Sequence, residues 1–292
     1  MVTVNPNDPQ SARQYDDRTS AAVKTVLVEI GQILGSFKGK FALIGGAVPW
    51  LLLKDTADFP HVGTGDIDLA LDPEALGEGE YASLVEALQT HGYAWREPMR
   101  RFQLMRTVPA TDNGPAINVV VDFLMPRDAV IEKNDPVLVD NFAVQRADGA
   151  DLALLFPEYV AISGPMPRGG TNRVEIAIAS IPALLAMKGH AIHNRHKQKD
   201  AYDIYYCVRN YPGGLDALAA ACLPVLDHES GAAGYQHIAE KFDAFESYGP
   251  TSVRHFVEDS QVLGDRTPDE WQQDAFGQVN AWARLLGLTG AM

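Results

Sequence analysis

Asp66-Ile67-Asp68, in the stretch GTGDIDLALD at residues 63–72, sets two carboxylates one residue apart at the start of an apolar alternation. On a strand, alternate side chains share a face, so both carboxylates point the same way, roughly 6.5–7 Å apart along the backbone, while Ile67 points into a core. Carboxylates side by side repel unless positive charge lies between them. A divalent cation supplies that charge, and oxygen ligands suit Mg²⁺. Asp122 ends the run Asn118-Val-Val-Val-Asp122 and has the phase of a residue facing out of a buried strand, so it is the candidate third acid of a two-metal site. D-x-D alone also occurs in surface turns, where it enters a strand and does nothing more.

Two further groupings give the acids company. IGGAVPWLLL, at residues 44–53, feeds a short apolar strand through Gly45-Gly46 into a helix start, where backbone amides favour an anion such as phosphate. A metal pair near a phosphate cradle is what nucleotidyl transfer requires: one ion activates the attacking hydroxyl, the other stabilises the leaving pyrophosphate. Thr64 is placed to order the loop before D-x-D. Farther on, LLAMK ends at Lys188, and KDAYDIYY carries Lys199, Asp200 and Asp203. Lys199 and Asp203 are four apart on a helix and can pair. A surface pair of this kind contributes only about 0–1 kcal/mol. Tyr202, Tyr205 and Tyr206 mark the segment as half-buried instead. Lys188 and Lys199 are therefore expected as phosphate contacts, with Asp200 and Asp203 as positioning or catalytic carboxylates. His190, His193 and His196 recur every three residues; on a continuous helix they span an arc of about 120° and converge poorly on one zinc ion, so they read as a polar face.

The elements that must position these groups follow from periodicity. Residues 18–37 place Val23, Val26, Leu27, Ile30, Ile33 and Leu34 at helical spacing. FALIG is a short strand, AVPWLLLKD a helix with Pro49 in its first turn, TADFPHVGTG a loop and Asp66–Leu71 a strand. PEALGEGEYASLVEALQTHGY reads as a helix closed by Gly92. RRFQLMRTV and INVVVDFLM read as strands around a turn, and shorter strand-like pieces follow near Phe142, Leu154 and Val174. From Ser180 onward the texture is helical, with segments at 214–226, 234–245, 250–262 and 269–287. The fold class is α+β: a mixed sheet with helical cover, not a doubly wound parallel sheet, over residues 1–170, followed by an all-helical domain over 171–292.

The 292 residues are 46% hydrophobic and 21% charged, an ordinary globular composition, and no run approaches the roughly 20 apolar residues of a membrane span. The start, MVTVNPNDPQSARQYDD, resembles neither a signal nor a transit peptide. Cys207 and Cys222 read as buried thiols of a reducing cytoplasm. A net charge of −14 argues against coating bulk DNA, so positive charge must act locally. Two basic islands, Arg96–Arg106 and Lys188–Lys199, are the places where it could. In the first, Arg100, Arg101 and Arg106 could line a cleft. Trp50, Trp95, Trp271 and Trp282 read as packing residues.

IGGAVPWLLL, TGDIDL and VVVDFL together resemble the polymerase-β nucleotidyltransferase superfamily. Lys188 with KDAYDIYY resembles, more narrowly, the AbiEii/AbiGii family of type IV toxin-like and phage-defence nucleotidyltransferases. Ala47 stands where family members often carry Ser or Thr, and Pro49-Trp50 where related CCA-adding enzymes carry Arg-Asp. The resemblance, over roughly residues 40–210, implies an NTP substrate and Mg²⁺ held by Asp66, Asp68 and Asp122. It further implies an acceptor hydroxyl on a tRNA 3′ end or a protein side chain, and an antitoxin partner. Small antibiotics are acceptors of other superfamily members. A non-catalytic binding module and a metal-dependent phosphohydrolase are the alternative expectations. Three clustered acids argue against the first, and the Gly-Gly helix start against the second.

Overall fold

A computed structural model of the chain describes residues 9, 11–76, 79–110, 112, 114–129, 144–258 and 260–288. It divides into two compact units. One, the sheet unit, comprises residues 17–48 and 63–180; the other, the helical unit, comprises residues 1–16, 49–62 and 181–292.

In the sheet unit, α1 (Asp17–Ile33) buries Val23, Val26, Leu27 and Ile30, the helical stripe its spacing predicts. The strands are β1 (Phe41–Ile44), β2 (Asp66–Leu71), β3 (Gln103–Val108), β4 (Ile117–Pro126), β5 (Gln145–Ala147), β6 (Pro157–Pro165) and β7 (Thr171–Ala179). They form one mixed sheet in the order β3-β4-β2-β1-β7-β6, with β5 pairing with the far end of β4. β2 and β4 run parallel, whereas β1 with β2, β3 with β4 and β6 with β7 run antiparallel. β2 buries Ile67, Leu69 and Leu71 on one face and carries Asp66 and Asp68 on the other, as strict alternation demands. α2 (Ala47–Leu52) follows the Gly-Gly turn; α3 (Glu80–Thr90) is shorter than the expected helix, and Gly92 follows its end in the left-handed region.

Three expectations are corrected. Leu154 lies not on a strand but on α4 (Ala150–Leu155), which buries Ala150, Leu152 and Ala153 against the sheet; a short apolar run such as LALLF has no period that separates a buried helix from a strand. Trp95 is 42% exposed rather than packed, its indole N–H donating to the Met99 carbonyl at 3.2 Å. The division after residue 170 would cut the β6–β7 hairpin, because β7 completes the sheet and the sheet unit ends at Ser180. Phe142, the centre of another expected strand, lies outside the described residues.

In the helical unit, α5 (Ile181–Asn194), α7 (Gly214–Leu226), α9 (Tyr248–Val257) and α10 (Pro268–Leu285) pack around α6 (Gln198–Asn210), and α8 (Glu229–Lys241) packs chiefly on α5. α6 is buried nearly all round. α10 starts on a capping box, Thr267 with Glu270, and has Pro268 at its first position, where the missing N–H costs nothing. Residues 49–62 belong here for a physical reason that no local pattern carries. Phe59 packs on Tyr205, Tyr206 and Trp271, and the Asp58 amide donates to Asn210 Oδ1 at 2.9 Å. Cys207 and Cys222 are free and buried. Among the described residues no helix is long and apolar enough to cross a membrane.

Candidate active site

β2 and β4 fix the acids relative to one another. Their parallel register sets Asp68 directly beside Asp122 and Asp66 beside Val120. The antiparallel neighbours extend the row, with Ile44 of β1 beside Asp68 and Gln103 of β3 beside Asp122. The three predicted acids therefore share one region of two adjacent strands. Gln103 Nε2 donates to Asp122 Oδ1 at 2.9 Å, and the buried Thr64 hydroxyl donates to Asp66 Oδ1 at 2.7 Å. Each of those two carboxylates thus has a neutral donor that orients it.

Burial, reinforced by the negative charges of Asp68 and then Asp66, pushes the Asp122 carboxyl up to about 8, against the downward pull of the Gln103 hydrogen bond and Arg100. Negative charge is therefore in excess here. The donor set is entirely hard oxygen, and that excess is what a divalent cation relieves; chemistry and charge both fit Mg²⁺. The three groups do not gather within 4.8 Å of one another around a single point.

Gly45 sits against this row. Its φ is +75°, and a Cβ built on it would overlap the Asp68 carboxylate. Only glycine lets the turn's backbone approach so closely. Gly46 beside it is buried, and the Val48 amide closes the turn on the Gly45 carbonyl at 3.3 Å. Gly45→Ala is expected to cost about 1–3 kcal/mol through backbone strain and, by displacing the Asp68 carboxylate, to lower activity about 10²-fold. Thermal melting and initial rates on the same preparation check both halves.

The second grouping is assembled in the helical unit. Asp203, 0% exposed, takes Lys199 Nζ at 2.8 Å, Lys188 Nζ at 2.7 Å and His61 Nε2 at 3.0 Å. Asp200, equally buried, takes Lys188 Nζ at 2.8 Å and Arg195 Nε at 2.8 Å. Lys188 and Lys199 are themselves buried, so this is an interior network rather than a surface pair. Despite burial, which works the other way, Arg195 and Lys188 hold the Asp200 carboxyl below its usual range, and Lys188 and Lys199 do the same to Asp203. Burial lowers the Lys188 pKa, but Asp200 and Asp203 outweigh it and the net shift is upward; for Lys199 burial wins and the shift is downward.

His61 was not anticipated, because its contact with Asp203 spans 142 residues and no spacing signals it. Burial, together with Lys199 and Lys188, lowers its pKa from 6.5 to about 4 although Asp203 favours its charged form. The unfolded chain therefore takes up this proton near pH 6.5 and the native chain only near pH 4. Stability associated with His61 is present above pH 6.5 and is lost as pH falls toward 4, by about 3 kcal/mol in all. Urea midpoints across that interval, compared with His61→Gln, should show the slope flatten in the variant.

Other expected residues go elsewhere. Arg106 makes a two-pronged pair with the buried Glu29, at 2.7 and 2.9 Å, over the Tyr93 ring. α5 ends at Asn194, so the three histidines do not share a continuous helix: His190 meets the Ser230 carbonyl, His193 stacks on His237 and His196 meets Tyr248 edge-on.

Residues 34–278, well over half of the chain, match the family described as nucleotidyl transferase AbiEii toxin, type IV TA system. Among solved structures, JHP933 from Helicobacter pylori is similar over 94% of this chain and 95% of its own, at 14% identity and a TM-score of 0.48. A second H. pylori protein, described provisionally as a nucleotidyltransferase, is similar over 91% of this chain and 96% of its own, at 13% identity and a TM-score of 0.47. At such scores neither likeness carries an argument. No curated protein matches the sequence. The family match stands on its own, spanning the Gly-Gly turn, all three acids and the Lys188–Asp203 segment. The chain belongs to the AbiEii toxin family of nucleotidyl transferases.

Proposed function

We propose that the chain transfers a nucleotide from an NTP to an acceptor hydroxyl in a Mg²⁺-dependent reaction, with Asp66, Asp68 and Asp122 as the metal-holding acids. The observation that carries this reading is the register that sets Asp68 beside Asp122, with the Gly45 backbone pressed against Asp68. Bound there, Mg²⁺ would lower the pKa of the attacking hydroxyl and stabilise the pyrophosphate leaving group. The spread of the three carboxylates along two strands suits a pair of ions. Gln103 and Thr64 hold two of them in place before any substrate arrives. Asp122 is the base toward the acceptor hydroxyl. Gly45 and Gly46 offer backbone to the phosphates, with no side chain between chain and ligand.

Lys188, Lys199, Asp200 and Asp203 enter the proposal as groups that serve nucleotide binding. In the structure each lysine nitrogen is already engaged by carboxylates, so a direct phosphate contact would require an exchange of partners. A tRNA 3′ end or a protein side chain is the acceptor proposed, consistent with the toxin family, and an antitoxin is the proposed protein partner. The first test is thermal melting with each NTP, with and without Mg²⁺. A ligand that binds only the native state must raise the midpoint. The expected result is a rise that needs both NTP and Mg²⁺ and disappears in Asp66→Ala; an unchanged midpoint with all four NTPs would favour a non-catalytic module.

A further inference from the structure

α5 and α8 cross with their backbones in direct contact. A Cβ on Gly189 would overlap the Gly234 carbonyl, and one on Gly234 would overlap the Ala186 carbonyl. Close contact of this kind leaves little freedom in the helix pair, so side chains one turn beyond the crossing meet reproducibly. Four residues after Gly189 comes His193, and three after Gly234 comes His237. Their imidazoles stack with centroids 3.8 Å apart. Glu240, one turn along α8 from His237, completes the group, and one ligand atom from each of the three lies within 4.8 Å of the others.

Three details make this more than a chance meeting of polar groups. His237 Nδ1 is buried and has no hydrogen-bond partner among the described residues, which is costly for an imidazole nitrogen unless something else binds it. Its nearest carboxylate oxygen, Glu240 Oε2, lies at 3.8 Å, too far for a hydrogen bond. Two metal bonds of about 2.1 Å at a tetrahedral angle set their ligand atoms about 3.4 Å apart, so a small side-chain rotation closes the gap. The other Glu240 oxygen accepts from Gln236 Nε2 at 3.3 Å, which helps to orient the carboxylate. His193 is exposed, and a turn of its ring would take it from stacking to convergence.

We propose that His193, His237 and Glu240 form a binding site for a borderline divalent transition-metal ion of the Zn²⁺ class, joining α5 to α8. Two imidazoles and one carboxylate are donors that such an ion prefers and that Mg²⁺ does not. Three protein ligands leave the fourth position to water or to a group brought by a partner. His190 stands outside the set, because its Nε2 is taken by Ser230. The site differs from the aspartate site in element, ligand type and metal class. Because α5 also carries Lys188, the ion would fasten the helix that supplies the interior charge network.

The test uses the full chain without an affinity tag, titrated with Zn²⁺ alone by calorimetry and with Co²⁺ alone by visible absorption. The expected result is one equivalent bound in the micromolar range and a melting midpoint raised by about 5 °C at saturating Zn²⁺. Nitrogen-ligated Co²⁺ absorption should appear in the wild type and persist in Asp68→Ala. His193→Ala, whose side chain is exposed and whose fold is checked by circular dichroism, and His237→Ala should each weaken binding at least about 10-fold. Absence of saturable binding below about 100 µM would overturn the proposal, as would affinity left within a few-fold of wild type by either histidine variant.

Discussion

Asp68→Asn should reduce nucleotide transfer by about 10³-fold or more while leaving the protein folded. Losing one transition-state hydrogen-bond donor from a preorganised site costs about 10²–10³-fold, and a carboxylate in the proposed metal-holding role should cost no less. The substitution keeps the shape of the side chain, so the Gly45 backbone keeps its neighbour and the sheet its register. Asp122→Asn makes the complementary measurement. The Asp122 carboxyl is pushed up to about 8 by burial and by its two acidic neighbours, so its ionised form opposes folding. The native chain keeps this proton up to about pH 8, whereas the unfolded chain loses it near 3.8. Stability from this group is thus present below pH 3.8 and is lost as pH rises toward 8. In Mg²⁺-free buffer at pH 8, Asp122→Asn should melt several degrees above wild type while its activity falls to near zero. A gain in stability with a loss of function marks a site that holds like charges together for chemistry. Rates for both variants, and melting curves with and without Mg²⁺, check the pair of outcomes.

Asp203→Ala should do the opposite, failing first in stability. It would leave Lys188 and Lys199 buried with one carboxylate, that of Asp200, beside three cations once Arg195 is counted. Removing one partner of a buried ion pair typically costs about 3–5 kcal/mol, because the remaining charge keeps its desolvation penalty. Denaturant unfolding should show that loss. Lys199→Met then separates the two roles open to the lysines. Assayed at low temperature in folded protein, an NTP KM raised about 10-fold or more supports direct phosphate contact. A lower melting temperature with unchanged KM assigns Lys199 to holding the helical unit together.

The grouping of the three acids was legible because its signals are local. Alternation in Asp66–Leu71 fixes which face each residue takes, and VVVD fixes the phase of Asp122; only the strand order, which makes Asp68 and Asp122 neighbours, had to come from the fold. Gln103 was within reach of the same reasoning, since it follows Arg100-Arg101-Phe102 into β3 and pairs with Asp122 in register. The helical unit was legible as helices but not as a neighbourhood. Periodicity marks α6 as a helix; it does not show that Phe59 and His61, more than a hundred residues away, pack against Tyr205, Tyr206 and Asp203. For the same reason the spacing of His190, His193 and His196 speaks only to one helix. The partners of His193 lie on α8, and what joins them is a glycine crossing whose significance depends on which helices touch.

Incubation of the chain with Mg²⁺ and each α-labelled NTP, with bulk tRNA or the protein alone as acceptor, decides whether the three acids carry out nucleotide transfer, read from label and pyrophosphate. Mg²⁺-dependent transfer at these acids requires that at least one NTP pass its label to an acceptor with matching pyrophosphate release, and that transfer be lost without Mg²⁺ and in Asp66→Ala and Asp68→Asn. Transfer that persists in both variants, or label that stays in all four NTPs with either acceptor, would contradict it.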